Sequence, residues 1–464
     1  MGEAYLDYKK GGAGFDINGI IKDYYVYAGE TVNVGDFVEF VNGVAFSDEV
    51  RTKDTSIAYE ALNGMSAVRL SNTSIFIAYD YGTSLKGVVC TVQNGVITPG
   101  TVTFLGVNGV TIFSVASLSS TSIFVAYGME DDLYGVVATI SGTTITKGSN
   151  TYLGVNTSGI AMSAVALSST SVFIAYSTGT GMNTIPYGMV CTISGTAITK
   201  GTGTQISSSS YSALNLSVAK LSSTKVVVVH TGGSNGTNLK LYGTVCTISG
   251  TKITRGTNTQ ISTVSYSGNQ FSAVALTSQY LFIAHSYYSN GYFLYGIVCA
   301  VSGTNLYVYD GTDTQLCSLT SRNEKVSVCI IDHSKVFVAH GYDSTNFYLR
   351  GLLCNISGTT TTPGTDIELS NTINSGAMLS AFEIVDNSVF VAHTSGSSKT
   401  LYGQVFNVAG DIPTNQFGST EYETQVRVAT TLPCNGVAST SGIGGSETAH
   451  NQQVSVYVPE LEVT

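Results

Sequence analysis

Met162-Ser-Ala-Val-Ala-Leu-Ser-Ser-Thr170, Ser171-Val-Phe-Ile-Ala-Tyr176, Tyr187-Gly-Met-Val-Cys-Thr-Ile-Ser-Gly195 and Ala197-Ile-Thr-Lys-Gly201 decide the fold, because this series of four β-rich segments recurs along the chain. The glycine that opens its third segment returns at Gly87, Gly135, Gly188, Gly243, Gly296, Gly351 and Gly403, at intervals of 48, 53, 55, 53, 55 and 52 residues. Seven units of about fifty residues, each with four short strands, predict a β-propeller and exclude a helical solenoid. The first two segments are apolar on both parities, as strands covered on both faces must be. The fourth is polar and carries Lys and Gly, which suit an outer edge strand. Tight turns join strand one to two and three to four.

The seventh unit, 378–410, lacks an evident fourth strand, while Thr55-Ser-Ile-Ala-Tyr-Glu-Ala-Leu62 reads as a fourth strand without a blade. The expectation is an all-β, seven-bladed propeller over 53–410 that this N-terminal strand closes, removing both open edges. Residues 1–52 and 411–464 are then expected to form a small β-rich anchoring module. Both ends should meet on the tight-turn face, with the loops between strands two and three on the opposite face.

Composition narrows the function. The chain has 464 residues, only 11% charged side chains and a formal net charge of -10. Ser, Thr, Gly, Asn and Tyr fill the surface in place of Lys and Glu, and with no cluster of Lys or Arg a nucleic-acid partner is excluded. No apolar run reaches the length of a membrane span, so no membrane insertion is expected. Met1–Gly19 carries no apolar signal core, so a protein made in the cytoplasm is expected. Five of the eight cysteines, Cys90, Cys191, Cys246, Cys299 and Cys354, share one slot of the repeat. Equivalent slots lie a blade apart, too far for a disulfide, so these thiols should be free and buried. A bridge between Cys317 and Cys329 stays open on spacing, and Cys434 stands alone.

Motifs with chemistry are few. The second strand ends in Tyr79, Tyr127 and Tyr176 in the first three units and in His230, His285, His340 and His393 in the last four. Slots a blade apart cannot share one metal ion, whose nitrogen ligands lie about 2.0–2.1 Å away. The reading is therefore structural: a ring nitrogen or hydroxyl meeting a backbone partner between blades. His333 and His450 are expected in solvent, as are Glu130-Asp131-Asp132 and Asp310 with Asp313. No nucleophile elbow, zincin or phosphate-loop motif is present, so no enzyme, cofactor or metal is expected.

The segments between strands two and three vary in length and are rich in Tyr, Ser, Gly and Asn, the composition of adaptable recognition surfaces. They supply the candidate recognition residues Tyr81, Tyr287, Tyr288, Tyr292, Phe293, Tyr342, Phe347 and Tyr348.

The terminal stretches Ala28-Gly-Glu-Thr-Val-Asn-Val-Gly-Asp-Phe-Val38 and Asn435-Gly-Val-Ala with Val454-Ser-Val-Tyr-Val458 resemble elements of tailed-phage head-decoration proteins. The repeat itself resembles those of phage and bacterial surface proteins. The resemblance implies a virion structural protein, most simply a capsid decoration protein. It would dock on the major capsid protein or another virion protein through strands that carry Val38, Phe40, Val456 and Tyr457. The alternative is a tail-associated or cell-surface adhesin that binds carbohydrate.

Overall fold

Strands within each repeat are consecutive and antiparallel, so every repeat folds into one blade. The computed structural model of the chain describes residues 19–25, 31–32, 37–42, 55–408, 424–428, 436–438, 442–443 and 453–459, omitting 59–61, 83, 94, 106–107, 157–160, 181–182, 208–212, 234–238, 263–269, 289–291, 310–312, 320–324, 344–346, 371–377, 386–387 and 396–399. The chain divides into two compact units, Asp54–Asn415 and Met1–Lys53 with Gln416–Thr464. The first is a seven-bladed propeller. Among the described residues no helix is long and apolar enough to cross a membrane.

Blade three shows the pattern: Met162–Ser168, Ser171–Thr180, Asn183–Ser194 and Ala197–Lys200 pair in that order. Thr204–Gln205 then pairs with the other half of the third strand, at Tyr187 and Gly188. The outer strand is thus split in two, and the same split occurs in blades one, two, five and six. The turn between strands three and four places Gly142, Gly195, Gly250, Gly303 and Gly358 at φ near +60° (60–61°) as the first of two turn residues, a conformation that favours glycine.

The propeller closes as expected, but with half an outer strand. Thr55–Ala58 pairs with the third strand of blade seven, Thr400–Asn407, with Gly403 opposite Thr55 and Leu401 opposite Ala58. That is the position of the second outer piece elsewhere. The expected strand 55–62 is too long: Leu62 opens the first strand of blade one, where it lies fully buried opposite Tyr81.

The core sits between blades. One apolar cluster joins Leu167, Phe173 and Val190 of blade three to Val226, Cys246 and Ile248 of blade four, and equivalent clusters bridge the neighbouring pairs. Cys191, Cys246, Cys299 and Cys354 each enter a different cluster. With Cys90 they are free, and burial pushes each thiol up to about 12. Cys317 and Cys329 are also free, which removes the proposed bridge. Cys434 and His450 lie outside the described residues.

The recurring glycine has a steric cause. A Cβ on Gly87, Gly188, Gly296 or Gly403 would stand 2.7–2.8 Å from Cζ of Phe76, Phe173, Phe282 or Phe390 in the second strand of the same blade. In blade four, Val227 replaces the phenylalanine, and Leu306 of blade five reaches over Gly243 instead, at 2.5 Å from where a Cβ would be.

A ring of serines ties the inner strands together. Ser66, Ser114, Ser163, Ser217, Ser272 and Ser327 accept from the backbone N–H of Val115, Ala164, Val218, Ala273, Val328 and Ala381 in the next blade, at 2.9–3.2 Å. At the seam Ser380 donates to the Ala67 carbonyl at 3.4 Å, and Arg69 lies 3.9 Å from the Glu383 carboxylate.

In the second unit, Gly19–Tyr25, Gln453–Pro459, Gly436–Ala438, Phe37–Asn42 and Thr424–Val428 form one sheet in that order. Val38 and Phe40 lie opposite Val428 and Val426, and Val456 and Tyr457 opposite Lys22 and Ile21.

The phenylalanine–glycine contact is open to a mutant cycle. Gly296→Ala costs about 1–3 kcal/mol by overpacking, and adding Phe282→Val, the residue type of blade four, relieves part of that cost. Denaturant unfolding of the four proteins should show a coupled pair; strict additivity would count against the contact.

Candidate functional site

The repeated His/Tyr slot lies at the junctions between blades, and three elements build it. The second strand supplies a buried ring. The third strand stacks an aromatic on it in five blades: Tyr134 on Tyr127, Tyr187 on Tyr176, Tyr242 on His230, Tyr295 on His285 and Tyr402 on His393, at centroid distances of 5.6–6.0 Å. The outer strand of the same blade supplies a polar side chain. His230 Nε2 meets Asn258 Oδ1 at 3.1 Å, His285 Nε2 meets Asp313 Oδ1 at 2.9 Å, and His340 Nε2 meets Asp366 Oδ1 at 3.0 Å. Nδ1 of His230 and His340 faces the carbonyl of the next residue, Thr231 or Gly341, at 2.8 and 3.0 Å.

The backbone-partner reading holds for Nδ1 of His230 and His340, but that partner lies in the same strand rather than across the junction, and Nε2 is held by a side chain of its own blade. The Tyr176 hydroxyl meets no hydrogen-bonding atom among the described residues. Asp313, expected in solvent, is a histidine partner. His333 is exposed, as expected, but its Nδ1 lies 2.6 Å from the Leu276 carbonyl of the preceding blade.

The preceding blade adds a fourth element at the end of its outer strand. In blades three to six this residue is Ser207, Ser262, Cys317 and Ser370, and it precedes a histidine blade each time. Ahead of the tyrosine blades it is Ala58, Gly106 and Gly154. Asn258 Nδ2 donates to Ser207 Oγ at 3.4 Å, and Cys317 Sγ lies 3.6 Å from His340 Nε2.

The junction of blades five and six departs from the repeat twice, with Cys317 of blade five in the serine place and Arg350 of blade six in the stacking-tyrosine place. Arg350 Nε donates to Asp366 Oδ2 at 2.9 Å, and its Nη2 donates to the Asp366 carbonyl at 2.8 Å. Cys317 Sγ, His340 Nε2 and an Asp366 carboxylate oxygen all lie within 4.8 Å of one another. Such a trio invites comparison with a nucleophilic triad, but Cys317 and Asp366 share one ring nitrogen. A triad needs the acid on the other nitrogen, which here faces Gly341.

The same slot titrates in opposite directions in blades four and six. Burial pushes the His230 imidazole down, only partly offset by Thr231 and Asn258. Burial acts on His340 too, but its contacts with the Asp366 carboxylate and Cys317 outweigh it and raise the group to about 10.

The candidate recognition residues stand on hairpins rather than loops. Tyr287 pairs with Phe293, Tyr288 with Tyr292, Tyr342 with Tyr348 and Asp343 with Phe347, so strands two and three run beyond the blade body. Phe293 is half-buried with its ring edge toward Tyr295, at 6.4 Å between centroids. Tyr81 is 46% exposed, and Lys86 Nζ sits 4.7 Å above its ring. Phe104, 48% exposed, lies opposite Lys86 in the outer strand. A similar group occurs one blade on: Tyr152 is exposed, Tyr134 meets it edge-on at 5.5 Å, and Lys200 of blade three sits 5.1 Å above its ring. Phe104 and Tyr152 were missed because a polar outer strand gives no local reason to single out one aromatic; their shared place after the Thr of the second outer piece was the available signal.

No protein-family model matches the chain, and no curated protein matches it in sequence. The resemblance of the termini to head-decoration proteins therefore finds no counterpart there. Among solved structures the chain is similar to AofleA from Arthrobotrys oligospora, at 8% identity over 95% of this chain and 100% of that one, with a TM-score of 0.44. It is also similar to the WD40 domain of Toxoplasma gondii coronin, at 10% identity over 88% and 100%, with a TM-score of 0.46. A third is Aleuria aurantia lectin in complex with Fucalpha1-6GlcNAc, at 12% identity over 68% and 97%, with a TM-score of 0.40. At such identities the likeness is one of propeller scaffold.

His230 gives a pH test. With its folded pKa below 6.5, the unfolded chain takes up the proton first, so stability falls as pH drops below about 6.5. Converting the junction to the tyrosine type with His230→Tyr and Ser207→Gly should make the acid slope between about pH 7 and 5 shallower than in the parent. An unchanged slope would show that His230 does not titrate in this way.

Proposed function

We propose that the chain is a non-enzymatic recognition protein whose propeller binds carbohydrate along the edge of the disc that carries the hairpins between strands two and three. The observation that carries this reading is the pairing of exposed rings with lysines at Tyr81 with Lys86 and Tyr152 with Lys200. A pyranose offers an apolar C–H face and a rim of hydroxyls. An exposed tyrosine ring accepts the first, and an adjacent ammonium donates to the second. Phe104 widens the apolar ground beside Lys86. The aromatic hairpins of blades five and six extend the same edge, and several weak sites on one disc gain strength on a multivalent surface.

The second reading, a virion protein docked on a capsid lattice, takes the sheet in which strands from both ends of the chain pair as its anchor. In that reading the terminal strands anchor the particle-bound protein and the propeller supplies its display surface. The two readings are compatible, since an anchored adhesin needs both parts.

A glycan array probed with the full chain tests the main reading. Each stacking ring contributes about 0.5–1.5 kcal/mol, so Tyr81→Ala or Tyr152→Ala should weaken binding about two- to twelvefold with the fold intact. Binding to no glycan, or binding indifferent to both substitutions, would rule the reading out.

A further inference from the structure

We propose that Cys317, His340 and Asp366 form a binding site for a zinc-class divalent transition metal at the junction of blades five and six. Thiolate, imidazole and carboxylate are the donor set such ions take, with bonds of about 2.3, 2.0–2.1 and 2.0–2.2 Å. Tetrahedral bonds of those lengths place donor atoms about 3.3–3.6 Å apart. His340 Nε2 stands 3.6 Å from Cys317 Sγ and 3.0 Å from Asp366 Oδ1, so small rotations admit the ion.

The surroundings are those of a metal site as well. Gly341 O faces His340 Nδ1 and thereby fixes the ring with its Nε2 toward Cys317 and Asp366. Arg350 holds Asp366 Oδ2 and leaves Oδ1 on the His340 side of the carboxylate, facing the centre. A register shift in the outer strand of blade five, where Leu294 faces Cys317 but Tyr295 faces Gln315, makes Leu316 the extra residue. Leu316 turns into the core while Cys317 meets the next blade. Cys317 and Asp366 are half-buried, which leaves a path from solvent.

The neighbouring junction makes the contrast. At blade four the serine is Ser207 and the histidine partner is the neutral Asn258, whose amide can turn its N–H toward Nε2. That junction needs no ion. Only the junction of blades five and six combines a thiol, an imidazole and a carboxylate among the described residues. On binding, Cys317 loses its thiol proton and His340 its Nε2 proton, both to solvent, and His340 then coordinates through Nε2. Asp366 binds as the carboxylate, and a water or an outside donor takes the fourth position. No electron is transferred.

Cobalt(II) added to the reduced full chain is the probe, because a cobalt–thiolate bond has its own charge-transfer absorption. The expected result is one equivalent bound with that band, displaced by zinc. Cys317→Ser, which installs the residue present at the other histidine junctions, should abolish the band and weaken cobalt binding at least about tenfold, while metal-free melting stays unchanged. Asp366→Asn should weaken binding without removing the band. Absence of the band in the parent, or a band that survives Cys317→Ser, would overturn the proposal and leave the cluster a hydrogen-bonded clamp. The glycan array reads the separate aromatic edge of blades one to three, so either result stands without the other.

Discussion

Phe76, Phe124, Phe173, Phe282, Phe337 and Phe390 set the tips of their rings against the glycines of the adjacent third strand, a contact that leaves no room for a Cβ. Each ring also faces the following blade; Phe173, for example, belongs to the cluster that contains Cys246 of blade four. A Cβ at that contact would displace the ring and push the next blade outward. Seven blades close a circle only if seven such offsets agree, so a change that an isolated hairpin would absorb opens the seam of a ring. Blade four shows the constraint by breaking it. With Val227 in place of the phenylalanine, Leu306 fills the space over Gly243 from the other side.

The seam tests how much of the ring is held by special contacts. Arg69 and Glu383 meet there, but the side chains are 37% and 23% exposed. Exposed ion pairs contribute about 0–1 kcal/mol. The closing strand spans only Thr55–Ala58, so closure rests mainly on packing. Ile57 carries much of it: its Cδ1 would stand 2.9 Å from a Cβ on Gly403, beside Phe390. It takes the place that Leu105, Ile206, Ile261, Leu316 and Leu369 hold over the equivalent glycines of other blades. The N-terminal strand thus completes an apolar stack as well as a hydrogen-bond ladder.

The blade count and the place of the closing strand were legible in the sequence, because a glycine that a phenylalanine constrains in six blades recurs at a fixed place; the split of the outer strand and the end of the closing strand at Ala58 were not. The inner serines were equally periodic. They passed unseen because serine is also the residue of the turns, and nothing local separates Ser163, which accepts from the next blade, from Ser168, which caps a turn. The hairpins of blades five and six were read as loops from their Gly, Ser and Asn content, whereas Tyr and Phe in cross-strand pairs extend the ladder. The histidine slot was legible, but its partners, 26 to 28 residues downstream in a polar strand, were not.

The junction residues vary together, and this explains why tyrosine and histidine alternate at one slot. Tyrosine follows Ala58, Gly106 and Gly154; histidine follows Ser207, Ser262, Cys317 and Ser370. The longer phenol of Tyr176 reaches to Gly203 of its own blade, where a Cβ would stand 2.6 Å from the hydroxyl, and the shorter imidazole leaves that place to a polar side chain. Asn258, Asp313 and Asp366 then answer the ring nitrogen, and Asp54 stands at the matching sequence position for His393. A repeat protein carries contacts mainly between neighbours, so one junction can change without disturbing the rest. The junction of blades five and six has used that freedom at two positions, Cys317 and Arg350, and both changes face the same carboxylate. A drifting surface would scatter its substitutions; these converge on Asp366.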